Sequence, residues 1–205
     1  LQTQFSRWFL IAGASATFSD HLKGKLENLK PAWIRCQERP FPVESNVVEV
    51  PDEESRYRAA NDMVKSLLDR GFTILVFFPG KTEIANARES LIKAGCSEEA
   101  LVSFHSELDD ASLQKAKEPT HYARAILATS LAELALTIPD VDIVIDLGLI
   151  RDIGEFAGLL QVRDFLAPLS RCEQRLGRVG RVKEGCYVYL QVKSSKVARY
   201  ETQYS

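Results

Sequence analysis

Short apolar runs recur along the chain, and longer stretches with helical spacing separate each from the next. The clearest are residues 73–78, 100–104, 123–128, 141–146 and Gly185–Gln191, with further candidates at Trp8–Ala14 and Asn46–Val50. Helical patterns fall at Asp20–Leu29, 53–70, 82–94, 109–117 and from Ser170. In the 53–70 stretch Met63, Leu67 and Leu68 share one face, and Gly71 stops the helix. A strand that is apolar on both faces must be covered on both. Strands alternating with helices therefore predict an α/β fold, a parallel sheet with helices on each side. The segment "IRDIGEFAGLLQVRDF" reads as a run of short β pieces with little room for a large inserted hairpin.

Composition narrows the class without naming a function. With 45% hydrophobic and 26% charged residues the chain can build a core, which excludes disorder as the default. A net charge of -2 does not favour nucleic acid, but residues 171–183 hold four arginines and one lysine against Glu173 alone. The four cysteines show no CxxC pair and no metal-ligand spacing, so reduced thiols and no metal site are expected. No run approaches the roughly 18 apolar residues of a membrane span, and no membrane segment is expected. The chain starts at Leu1 without a methionine and runs at once into a strand pattern, so a piece of a longer polypeptide is expected.

"ILVFFPGKTEI", Ile74 to Ile84, has the order of a phosphate-binding loop: strand, Gly-Lys-Thr, helix. Such a loop needs a first glycine five positions before the second, so that backbone N–H groups can encircle a phosphate. Leu75 stands there, and Pro79 has no N–H to donate. The loop is too short for a pyrophosphate. An ordinary strand-to-helix turn fits the same letters. A helix N-terminus with a lysine also suits one isolated phosphate.

The strongest signal is "SRCEQRLGRVGRVKEGCYVYL", Ser170 to Leu190. Gln174, Arg178 and Arg181 stand at i, i+4 and i+7, which places them on one face if the helix continues. Gly177 and Gly180 would each cost such a helix about 1 kcal/mol relative to Ala, so a compensating role is expected. Two guanidiniums and a carboxamide converging on one spot suit phosphate oxygens and the charge on a transferring phosphoryl group.

QRLGRVGR resembles motif VI of superfamily 2 RNA helicases, of the DEAH-box kind and their flavivirus, pestivirus and potyvirus relatives. "SAT" (Ser15–Thr17) resembles motif III, "RPFPV" (Arg39–Val43) the element after it, and "LVFFPGKTEI" motif IV. "LVSFHSEL" (Leu101–Leu108) resembles motif IVa, and "ATSLAELALTIPDVDIVIDLG" (Ala128–Gly148) is similar to motif V. The resemblance implies a RecA-like second lobe over 46–191. The end of a first lobe and a linker would occupy 1–45, and 192–205 would lead onward.

The resemblance also implies roles. Gln174 would orient the attacking water, and Arg178 and Arg181 would reach the γ-phosphate. Arg175 would make a structural ion pair, with Arg171 on the surface. Glu133 and Thr137 would lie near the nucleotide. Gly80, Lys81, His105, Ser106, Thr129 and Ser130 would hold the backbone of single-stranded RNA. Lys117 stands where the family commonly places an adenine-stacking Phe, which implies loose nucleotide selectivity. Neither GxxxxGK[ST] nor DExH occurs, so ATP or another NTP, with Mg²⁺, would need the first RecA-like lobe, and the fragment alone would be inactive. "QRLGRVGRVKEG" and "TIPDVDIVID" point to a viral polyprotein helicase working in the cytoplasm. A cellular DEAH protein and a non-catalytic RecA-like binding module are the alternatives.

Overall fold

The computed structural model describes residues 40–108, 110–135, 138–156 and 158–193. Motif III, the strand expected at 8–14, the helix at 20–29, Arg39, Thr137 and the tail from 194 lie outside the described residues.

Strand β1 (Val43–Val50) leads into helix α1 (Glu53–Asp69), β2 (Ile74–Phe77) and α2 (Lys81–Lys93). Then come β3 (Leu101–Phe104), α3 (Asp110–Lys117), β4 (Ala125–Ala128), α4 (Ala132–Ala135) and β5 (Ile143–Asp146). Two longer strands, β6 (Leu149–Phe156) and β7 (Leu159–Leu166), precede α5 (Leu169–Leu176) and β8 (Gly185–Val192). Six strands form one sheet in the order β1-β8-β5-β2-β4-β3, and every pairing in it is parallel.

The alternation along β2 explains the two-sided core. Ile74, Val76 and Phe78 face Ala60 and Val64 of α1 and Ile84, Ala87 and Leu91 of α2. Leu75 and Phe77 face the other way, into Phe104, Ala116 of α3, Ala132 of α4 and Val179. Successive strand residues point to opposite faces, so an unbroken apolar run fills both layers at once. Helix α1 is started by Asp52, whose side chain accepts the Ser55 N–H at 2.7 Å. It ends where Gly71 takes φ 89°.

Three features depart from the sequence reading. Strand β1 begins at Val43 instead of Asn46, because all eight of its residues find partners on β8, from Val43 opposite Gly185 to Val50 opposite Val192. The short helix α4 has no counterpart in the expected elements. The run expected to leave little room for a hairpin is one: β6 and β7 pair antiparallel over their full length, from Leu149 opposite Leu166 to Phe156 opposite Leu159. Gly158, at φ 76°, supplies the turn. Leu159, Leu160 and Val162 are exposed on it, so its letters lack the apolar-in, polar-out alternation that marks a half-buried strand.

Candidate functional site

The parallel sheet points all its carboxyl ends to one edge, and in open α/β sheets that edge is where ligands bind. Three loops leave it side by side, after β2, β4 and β3. They carry Gly80 and Lys81, Thr129 and Ser130, and His105 and Ser106, so six residues scattered over some 50 positions of sequence share one rim. The loops are tied by main-chain bonds: Phe78 N–H to the Ala128 carbonyl at 2.8 Å, and Thr129 N–H to the Phe104 carbonyl at 3.1 Å. Lys81 is exposed at the N-terminus of α2, and its Nζ meets Glu107 Oε1 at 2.5 Å. The Glu107 N–H is 3.4 Å from His105 Nδ1. The Lys81 ammonium holds the Glu107 carboxyl below its usual range.

Gly80 is buried, in extended backbone (φ -156°). A side chain there would run into the Arg151 guanidinium and the Glu83 carboxylate. Arg151, at the base of the hairpin, donates to Asp164 Oδ1 and Glu83 Oε1, each at 2.8 Å. A larger residue at this position would have to push the Arg151 and Glu83 side-chain ends aside. The sequence reading did not single out Arg151 or Glu107. Their partners lie far off in sequence, and no local pattern marks them.

The arginine segment is organised by a buried ion cluster. Arg175 and Glu133 are both fully buried, with Arg175 Nε 2.7 Å from Glu133 Oε1. Arg175 Nη1 reaches Asp146 Oδ1 at 2.6 Å, Nη2 donates to the Leu149 carbonyl at 3.0 Å, and the guanidinium lies 5.0 Å from the Phe77 ring centroid. The Tyr187 hydroxyl donates to Asp146 Oδ2 at 2.6 Å. Arg171, from the same helix, meets Glu133 Oε2 at 2.6 Å. The structural pairing expected of Arg175 is present, and Arg171 is half-buried in the same cluster.

Glu133, expected near the nucleotide, accepts from Arg178 through its main-chain carbonyl. Its carboxylate is out of solvent and engaged by Arg171 and Arg175, so it neutralises arginines from within.

Gln174, Arg178 and Arg181 do not share a helical face. Helix α5 stops at Leu176 with Gly177 as its cap, and Gly180 takes φ 75°. The residues from Arg178 onward follow a bend, so the expected glycine cost in a helix interior does not arise. Gln174 Oε1 is buried and accepts no hydrogen bond among the described residues. Arg178 and Arg181 are each half-buried, with Arg178 Nη2 on the Glu133 carbonyl oxygen and Arg181 Nε on the Gly177 carbonyl at 3.0 Å. Burial, and then the charge of Arg181, pull the Arg178 pKa below its ordinary value. Burial alone does the same to Arg181. Two crowded, partly desolvated guanidiniums would be relieved by a polyphosphate anion. At this end the acidic groups Glu133 and Asp146 are already taken up by arginine, so the described residues suit an anion better than a divalent cation.

Residues 59–183 match the helicase conserved C-terminal domain family. The chain is 31% identical over 163 residues to the ATP-dependent RNA helicase HrpA homolog of Haemophilus influenzae, covering 77% of this chain and 12% of that protein. It is 29% identical to ATP-dependent RNA helicase HrpA of Escherichia coli, covering 82% of the chain and 14% of that protein. Against the probable ATP-dependent RNA helicase spindle-E of Drosophila pseudoobscura it is 30% identical, over 78% of the chain and 12% of the relative. The crystal structure of the E. coli DExH-box NTPase HrpB superposes with a TM-score of 0.72 at 25% identity, over 90% of this chain and 24% of that one. The chain thus spans about an eighth of these curated relatives' length, and its sheet is the RecA-like lobe expected. The relatives are cellular, which favours the cellular reading and gives the viral one no support.

Proposed function

The chain belongs to the helicase conserved C-terminal domain family, among DEAH-type RNA helicases, and on that premise we propose that it closes over ATP in an ATP-dependent RNA helicase of cellular type. The observation that carries this reading is the half-buried pair Arg178 and Arg181, with pKa values lowered by burial, beside Gln174 and its unpartnered buried oxygen.

A first RecA-like lobe would hold ATP, together with Mg²⁺, and present the phosphates to this one. Arg178 and Arg181 would then donate to γ-phosphate oxygens and stabilise the charge that develops as the phosphoryl group leaves. Gln174 Oε1 would accept a hydrogen bond from the attacking water and so orient it. The rim of Lys81, His105, Ser106, Thr129 and Ser130 would hold phosphates of single-stranded RNA through an ammonium, hydroxyls and main-chain N–H groups, contacts that read no sequence. Gly80, buried under Arg151, lets the α2 N-terminus sit close to that rim. Because the rim and the arginines hang on strands of one sheet, hydrolysis and RNA grip would be linked.

The test is Arg178→Ala in the full-length protein. RNA-stimulated ATP hydrolysis should fall about a thousandfold or more, the range of arginine-finger losses, while single-stranded RNA affinity measured without nucleotide stays within about twofold. Loss of RNA binding with hydrolysis retained would place the arginines on the other ligand.

A further inference from the structure

The rim carries an acid of its own. Glu107 stands in the loop after β3, and its Oε1 lies 2.5 Å from Lys81 Nζ at the start of α2. Strand β4 runs between β2 and β3, so this ion pair joins the two outer loops of the rim across the middle one, which bears Thr129 and Ser130. Both partners are more than half exposed, and an ion pair so open to water adds little to the stability of a fold.

The turn that holds Glu107 keeps it within reach of Lys81. The Glu107 N–H lies 3.4 Å from His105 Nδ1, and the Leu108 N–H donates to the His105 carbonyl at 3.3 Å. The other end favours an anion as well. Lys81 is the first residue of α2, and Gly80 before it offers no side-chain cap. Unpaired N–H groups and the helix dipole there oppose a cation and attract a carboxylate or a phosphate. Glu107 supplies that negative group, and the Lys81 ammonium in turn keeps its carboxyl ionised.

The place that an RNA phosphate would take on Lys81 is thus already held by a carboxylate. A strand phosphate reaches the ammonium only by displacing it, and the displaced carboxylate then stays close enough to repel the phosphate. Being tethered in the next loop, the carboxylate is always at hand, so a lone anion from solution competes with it poorly. A phosphate delivered by a strand already held at neighbouring residues is tethered too, and competes on equal terms.

We propose that Glu107 is an internal stand-in for RNA phosphate, exchanged for the strand at Lys81, and that it sets how tightly the rim holds RNA. This rests on the helicase reading above, in which Lys81 meets the RNA backbone. The exchange keeps the grip at Lys81 weak and easily released.

The experiment uses full-length protein as wild type, Glu107→Gln, Lys81→Ala and the double variant. Affinity for a labelled oligo(U) strand is measured by fluorescence anisotropy without nucleotide, over a series of KCl concentrations. Glu107→Gln should lower Kd about threefold, the size of one exposed charge contact. It should also steepen the fall of log affinity with log salt by about 0.7, because the unmasked ammonium then neutralises one more phosphate. In the Lys81→Ala background the same change should shift Kd by less than about 1.5-fold, since Glu107 then has no cation to withhold and can turn to solvent. Glu107 is exposed and Gln keeps its shape, so the fold is not at stake. An affinity equal to or weaker than wild type in Glu107→Gln overturns the proposal, and so does an unchanged salt slope. An equal gain in the Lys81→Ala background, where Lys81→Ala itself binds more weakly than wild type, overturns it too, because Glu107 would then act as a screening charge and not as an occupant of Lys81. Wild-type protein that does not bind the strand, or a double variant that binds it as tightly as Glu107→Gln, would sink the RNA reading of the rim instead.

Discussion

Arg175 sits with no solvent exposure and keeps its charge. Burial works against the protonated form, but the charges of Asp146 and Glu133, and the hydrogen bonds to both, outweigh it and raise the pKa above the ordinary arginine value. The cluster is stable only while its charges balance. Replacing Arg175 by Met keeps most of the volume over Phe77 but leaves Glu133 and Asp146 buried without their partner. We expect Arg175→Met to cost about 3–5 kcal/mol, seen as a lowered urea midpoint. Adding Glu133→Gln and Asp146→Asn should recover most of that loss, since the unpaired charges, and not the missing side chain, cause it.

At the level of elements, the turn after α5 decides where the arginines point. Gly180 has φ 75°, and a methyl group there would meet the Val43 side chain and approach the Phe41 carbonyl at 3.2 Å. Gly180→Ala should destabilise by about 1–3 kcal/mol, read as a lower Tm, and ATP hydrolysis by the full-length protein should fall with it because Arg178 and Arg181 ride on this turn. The same turn marks the limit of what the letters disclose. The central strands were legible because an apolar run such as Ile74–Phe78 has only one way to be buried in an α/β fold. The rim was legible through motif order. The helical continuation to Arg181 was not correctly legible, since i, i+4, i+7 spacing fits a helix and a bend equally well and only the positive φ separates them. The ion cluster was also hidden. Glu133 and Arg175 are 42 positions apart, and the sheet alone brings them together. The hairpin escaped notice because its apolar residues face solvent, as at Leu160 and Val162, and its base is fixed by Arg151 through long-range partners.

Across the whole molecule, buried acids of weak intrinsic strength tie stability to pH. Burial, and then the charge of Asp146, push the Cys172 thiol from 9.0 up to about 12. Burial, and then Asp164, push the Tyr57 hydroxyl from 10.0 up to about 12. Both groups hold their protons longer in the folded chain than in the unfolded one. Their contribution is fully present below pH 9 and is lost as the pH climbs toward 12, because the unfolded chain then binds fewer protons. The urea midpoint should therefore be flat near neutrality and fall steadily above about pH 9. A midpoint that stays flat in that range would mean these groups are solvated in the folded state.

Strand β8 is the last of the six in the chain, yet it lies second in the sheet, between β1 and β5. During synthesis the chain therefore emerges from the ribosome with a slot in its sheet. Strand β1 waits without its partner while more than 130 further residues are made. Until Gly185–Val192 is out of the exit tunnel, β1 and β5 each show an unpaired edge, the kind of surface that invites pairing with the wrong chain. Closure of this sheet thus waits for the last of its six strands, and the half-made lobe is most exposed to mispairing just before that strand appears.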